Sequence, residues 1–184
     1  MSVDRNSVWE AAKFAATAHA NQKRGGKGVP YVTHVMDVAR RVESFGVTAP
    51  VVLCGALLHD TVEDTAVTIP EIEKFFDPEV ALIVGWLTLP KSIGDDYVAK
   101  TKHQSDVMKQ MNDSGRIIKI ADKWSNVADL ITDPPSWGRN AYLGYANDAA
   151  TVIRAGMEAS KSEAVHYMGI AALKSVDDVV RRYG

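Results

Sequence analysis

Ala56-Leu57-Leu58-His59-Asp60-Thr61-Val62-Glu63-Asp64-Thr65 is the stretch that decides how this chain is read. An apolar run from Val51 ends on an adjacent histidine and aspartate, and a second acidic pair, Glu63-Asp64, begins three residues after Asp60. Ionisable side chains beside a core-forming segment are costly to bury unless something compensates their lost hydration. A divalent cation does so, because imidazole and carboxylate are among its common ligands. The plain alternative is the polar end of an ordinary helix, and this segment alone leaves it open.

Two further stretches supply candidate ligands. Pro30-Tyr31-Val32-Thr33-His34-Val35-Met36-Asp37 carries a histidine in an apolar-periodic segment, and Ile117-Ile118-Lys119-Ile120-Ala121-Asp122 carries an aspartate in another. Taken singly, His34 reads equally well as a satisfied core histidine. Taken in order, His34, His59, Asp60 and Asp122 form a metal set of two imidazoles and two carboxylates, suited to manganese, iron or zinc with positions left for water and substrate oxygen.

The order His, His-Asp, Asp resembles the HD superfamily of metal-dependent phosphohydrolases. The wider pattern is His19-x-x-Gln22-x-Arg24, Pro30-Tyr31-x-x-His34, His59-Asp60-x-x-Glu63-Asp64-Thr65 and Lys119-x-Ala121-Asp122-Lys123-x-x-Asn126. It is similar to the hydrolase domain of RelA/SpoT proteins and, in length and layout, to the stand-alone small alarmone hydrolases. The likeness runs from about residue 19 to residue 155. It implies an all-α HD-domain helical bundle, Mn²⁺ as the cofactor, and a 3′-pyrophosphohydrolase acting on guanosine 3′,5′-bis(diphosphate) alarmones to give GDP or GTP plus pyrophosphate. It also implies that Glu63 and Asp64 act in the hydrolysis itself, with the base left unassigned between them. A solvated acidic turn capping the next helix is the structural alternative for that pair.

Substrate contacts are expected from four residues. Arg24 and Lys27 lie on a Gly-rich loop, where a phosphorylated nucleotide meets positive charge and backbone N–H donors. The resemblance supports Arg24, whereas five residues between Arg24 and Pro30 make a long loop for the family and weaken the case for Lys27. Asn126, one helical turn after Asp122, is expected to face the nucleoside. Tyr145 matches an aromatic position that the family has after a tryptophan-containing turn, with core packing as its alternative. The family arginine four residues after that tryptophan is replaced by Ala141, so its phosphate contact is either absent or transferred to Arg139. Rival functions stay open: an HD phosphohydrolase acting on an adenosine alarmone or NADPH, or an HD protein that senses alarmones without cleaving them.

Composition bounds these readings. The chain has 184 residues and is 46% apolar and 24% charged, which fits a single globular domain spanning 1–184. A formal charge of −2 gives no sign of nucleic-acid binding, so anions have to be gripped by local basic groups. The single Cys54, within an apolar run, reads as a buried thiol in a reducing compartment. No apolar run reaches the ~18 residues that a membrane span needs. The expected location is therefore cytoplasmic, and the expected partner is a small-molecule nucleotide. No membrane or nucleic-acid partner is expected, and a homodimer is left open.

Periodicity places helices at Val8–Ala20, from about Val35 to Gly46, at Val51–His59, from Ile69, from Asp77-Pro78 to Leu87, and at Tyr97–Met111, Arg116–Leu130, Arg139–Met157 and Ser162–Tyr183. The Val51–His59 helix is apolar all round, which predicts a central position. Residues 24–30 read as a loop, and no segment shows strand alternation.

Overall fold

The computed structural model describes residues 3–24 and 28–184. In chain order these form α1 (Arg5–Ala18), β1 (Lys23–Arg24), β2 (Val29–Pro30), α2 (Val32–Ser44), α3 (Pro50–Leu58), α4 (Thr61–Asp64), α5 (Ile69–Phe75) and α6 (Pro78–Leu87). A 3₁₀ turn at Lys91–Ile93 leads to α7 (Tyr97–Gln110), α8 (Asp113–Thr132), α9 (Arg139–Glu158) and α10 (Glu163–Tyr183). The all-α class expected from periodicity holds.

Helix boundaries follow local chemistry more than hydrophobic period. Helix α1 begins three residues before the expected Val8, because Asp4 and Ser7 form a reciprocal capping box. Ser7 N–H donates to Asp4 Oδ1 at 2.9 Å, and Asp4 N–H to Ser7 Oγ at 3.0 Å. Helix α8 likewise starts at Asp113 rather than Arg116, since the Asn112 side chain accepts from Gly115 N–H at 3.0 Å. Prolines open α3, α5 and α6 within their first two positions, where a missing N–H costs nothing. Gly46, at φ +80°, ends the segment after α2 as expected.

The expected loop at 24–30 needs one correction. Its ends pair as an antiparallel ladder, Lys23 with Pro30 and Arg24 with Val29. Two residues per strand are too few to show alternation in a sequence. Gly28, at φ +65°, adopts a backbone that other residues rarely take, which lets the chain turn back.

The chain divides into two compact units. The first runs through Arg24 and resumes at Val29–Pro90. Its centre is α3, every residue of which from Val52 to Leu58 is buried. Helices α1, α2 and α6 pack against it, and α5 packs on α6. Ala11, Ala15, Val35, Leu57, Leu58, Ile72, Val80 and Val84 share this core with Cys54. Burial pushes the Cys54 thiol up to about 12, so it is an inert core group, as its setting predicts.

The second unit contains Lys91–Gly184. Here α8, α9 and α10 pack pairwise and α7 lies on α9. Its core includes Val127, Leu130, Tyr142, Ala146, Ala150, Val176 and Val179. No helix among the described residues is long and apolar enough to cross a membrane.

Leu58 is fully buried on the residue before His59. Leu58→Ala should cost about 2–5 kcal/mol in urea unfolding, through lost burial and an unfilled cavity. A wild-type unfolding midpoint would show that α3 is not the packing centre of its unit.

Candidate metal centre

The metal candidates of the first unit sit where two helices end. His34 lies in the first turn of α2, 2% exposed, and His59 caps the C-terminus of α3 with no exposure at all. The backbone does not turn away there. His59 (φ −56°, ψ −34°) and Asp60 (φ −97°, ψ −6°) stay right-handed, and Asp64 N–H donates to Asp60 O at 2.9 Å. Glu63 and Asp64 therefore follow His59 and Asp60 by one helical turn. Two hydroxyls satisfy carbonyls near this irregular junction: Thr61 donates to Leu58 O at 2.7 Å and Thr65 to Thr61 O at 2.6 Å.

His34 Nε2 lies 3.4 Å and His59 Nε2 lies 3.1 Å from the same oxygen, Asp60 Oδ2. One donor atom from each of the three residues falls within 4.8 Å of the others. Two ligands each ~2.1 Å from one ion lie roughly 3.0–3.4 Å apart, depending on coordination geometry. Both distances to Asp60 fit that range, so the three residues suit a divalent metal. The ring orientation suits it too. His59 Nδ1 lies 2.8 Å from Ala56 O, which makes Nδ1 a protonated nitrogen and aims Nε2 at Asp60.

Asp60 has a further partner, distant in sequence. Tyr31 O–H donates to Asp60 Oδ2 at 2.7 Å. Its ring lies 5.5 Å from that of His34, and the Arg24 guanidinium sits 5.8 Å over its face. Burial acts to raise the Asp60 pKa. Charge and hydrogen bonding from His59 and His34 outweigh it and hold the carboxyl well below the usual range. The carboxylate is therefore ionised and available to a cation.

Around this trio, the acidic pair has separate anchors. Glu63 Oε2 accepts from Leu89 N–H at 2.9 Å, and Asp64 Oδ2 accepts from Gln22 Nε2 at 2.8 Å. Both side chains are exposed, and neither caps α5, whose box is made by Thr68 and Glu71. Arg24 ends β1, half-buried. Lys27 lies outside the described residues.

The remaining candidates belong to the second unit. Asp122 is buried on α8, where its Oδ2 lies 3.2 Å from Lys119 Nζ and its Oδ1 accepts from Asn126 Nδ2 at 2.5 Å. The expected helical-turn relation of Asn126 to Asp122 is thus a direct hydrogen bond. Lys119, whose side chain is 7% exposed, was not foreseen as a partner of Asp122. Tyr145 is half-buried on α9, with its ring 5.9 Å from Trp137 and Lys123 Nζ 5.6 Å from its centroid. Arg139, the alternative position for the family's phosphate contact, donates through its guanidinium to the carbonyls of Tyr183 and Gly184.

Tyr31 and Gln22 stood inside the quoted motifs, but nothing in their spacing shows that one reaches 29 residues to Asp60 and the other 42 residues to Asp64.

A helical fold that carries an adjacent His-Asp beside a second histidine defines a class. The HD domain family model matches residues 11–135, and the chain belongs to that family. Within it, the chain is 34% identical over 157 residues to the guanosine-3′,5′-bis(diphosphate) 3′-pyrophosphohydrolase MESH1 of Mus musculus, covering 84% of this chain and 87% of that protein. The solved structure described as a metazoan ortholog of SpoT that hydrolyzes ppGpp superposes with a TM-score of 0.83 at 27% identity, over 100% of this chain and 99% of that one. A Listeria monocytogenes structure shares the fold at a TM-score of 0.66 and 23% identity, over 80% of this chain and 99% of that one.

Tyr31→Phe removes one hydroxyl and keeps the ring stack. Loss of such a ligand-orienting bond should weaken metal binding by about tenfold or more, with little change in melting temperature of the metal-free protein. Titration of the chelated protein followed by elemental analysis reads this directly. Unchanged affinity would mean that Tyr31 does not orient Asp60.

Proposed function

We propose that this chain is a divalent-metal-dependent 3′-pyrophosphohydrolase of guanosine 3′,5′-bis(diphosphate) alarmones, releasing GDP or GTP and pyrophosphate. The observation that carries the reading is the convergence of His34, His59 and Asp60, with an acidic pair one helical turn further along the same segment. The similarity to MESH1 of Mus musculus, which spans most of both chains, supports the substrate class.

His34, His59 and Asp60 are the proposed holders of the ion, and the family pattern adds Asp122. We take the ion to be Mn²⁺, on the strength of the family resemblance. When bound, it supplies charge neutralisation and activates water near neutral pH. The residues of the chain do the rest. Tyr31 and the Ala56 carbonyl orient Asp60 and His59. Glu63 and Asp64 stand ready to orient the attacking water and take its proton. The water oxygen joins the phosphorus next to the 3′-oxygen, the 3′-O–P bond breaks, and the nucleoside oxygen leaves with a proton. Arg24, stacked over Tyr31 beside Asp60, is the proposed phosphate grip, helped by Lys27. Asn126 and Tyr145 are the proposed nucleoside contacts, as the motif pattern implies. The buried, unreactive Cys54 agrees with life in a reducing cytoplasm.

Removing the metal should abolish turnover, and adding back Mn²⁺ should restore it. Full activity in a preparation verified as metal-free would overturn the mechanism. Glu63→Gln and Asp64→Asn should each lower kcat by about 10²-fold while metal content stays at the wild-type level. Wild-type turnover in both variants would make the acidic pair structural. Arg24→Ala should raise KM by about tenfold, the effect of losing one charge-assisted phosphate contact.

Hydrolysis of guanosine tetraphosphate in ¹⁸O-water tests the site of cleavage. Intact GDP and ¹⁸O-labelled pyrophosphate are expected. Release of orthophosphate alone, or loss of the 5′-phosphates, would assign the site to a different phosphohydrolase reaction.

A further inference from the structure

Two residues of the quoted motifs, His19 and Gln22, have no part in the mechanism above. His19 is 2% exposed at the C-cap of α1. Its Nδ1 lies 2.6 Å from Gln22 Oε1, and Gln22 Nε2 lies 2.8 Å from Asp64 Oδ2. An ionised carboxylate only accepts hydrogen bonds, so Gln22 must turn its NH₂ group toward Asp64. The amide oxygen then faces His19, and the imidazole has to carry its proton on Nδ1. His19 Nε2 is left as a buried lone pair with no hydrogen-bond partner among the described residues. The chain His19→Gln22→Asp64 therefore has one direction.

The root of the hairpin keeps this chain in register. Gln22 N–H donates to His19 O at 2.9 Å, and Tyr31 N–H donates to Gln22 O at 3.0 Å. The His19 ring packs on that of Tyr31, with centroids 4.9 Å apart, and Tyr31 bonds Asp60. One short backbone connection thus supports the metal-facing Asp60 and the acidic Asp64 together.

From this geometry we propose that His19 and Gln22 are positioning residues which occupy Asp64 Oδ2 and leave Oδ1 as the oxygen that receives the proton of the attacking water. The inference rests on Asp64 acting in hydrolysis, as proposed above. The water O–H bond breaks, and the proton forms a bond to Oδ1. Oδ2 becomes the carbonyl oxygen and still accepts from Gln22. An amide passes no proton onward, so Gln22 is compatible with both states of Asp64 and fixes which oxygen is basic. Misdirecting a reacting group by even a small amount is expensive in rate.

Gln22→Leu keeps approximate size, removes the donor and changes a half-buried side chain. In the metal-loaded protein it should lower kcat by about tenfold or more, with KM, metal content and melting temperature unchanged. Added to Asp64→Asn it should lower kcat no further, because the two act as one unit. Wild-type kcat in Gln22→Leu, or losses that multiply in the double variant, would overturn the proposal. Wild-type turnover in Asp64→Asn would instead remove the reading beneath it. An independent readout needs no substrate. In ¹⁵N-histidine-labelled protein loaded with Zn²⁺, His19 should show the neutral Nδ1–H tautomer and lose that preference in Gln22→Leu. An Nε2–H tautomer in the unsubstituted protein would overturn the direction of the chain.

Discussion

The structure of the first unit depends on a single oxygen. Asp60 Oδ2 is approached by His34 Nε2, His59 Nε2 and the Tyr31 hydroxyl, all within 3.4 Å. Such crowding around a largely buried carboxylate is tolerable only with compensating positive charge or hydrogen bonds. It dictates where α3 stops, why His59 turns its Nδ1 back to Ala56, and why α2 starts with its histidine facing inward. A packed apolar helix then serves as a rigid mount. The candidate ligands His59 and Asp60 follow directly on the buried run Val52 to Leu58 rather than on a long loop.

Around that oxygen the supporting groups come from a short hairpin. The ladder between β1 and β2 is minimal, yet it brings Gln22 and Tyr31 into contact with residues some thirty to forty positions later. Hydrogen bonds of this kind add only modestly to stability. Their value lies in direction: each fixes the orientation of the Asp60 or Asp64 carboxylate.

The second unit handles its buried acid differently. Asp122 meets Lys119 and Asn126 on its own helix, three and four residues away. A buried ion pair contributes little net stability, since desolvation offsets its attraction, but removing either partner leaves an uncompensated charge. The pair therefore fixes the Asp122 side chain on a helix that also buries Ile117, Ile118, Ile120 and Ala121.

Hydrophobic period, glycines and prolines determined the helical class, the order of the helices and the central place of α3, because each is a local property of the chain. The His-Asp pair and the motif order likewise singled out the candidate ligands His34, His59, Asp60 and Asp122, since metal chemistry restricts which side chains serve, and the structure brings the first three together. Helix starts at Arg5 and Asp113 were also written locally, in Asp4-x-x-Ser7 and Asn112, but period alone does not reveal them. Only the tertiary structure decided that Tyr31 bonds Asp60, that Gln22 reaches Asp64, that Glu63 is held by the Leu89 backbone, and that Arg139 bonds the Tyr183 carbonyl. The physical reason is the same in each case. A hydrogen bond between residues tens of positions apart depends on how the intervening helices pack, and packing leaves no periodic trace in the sequence.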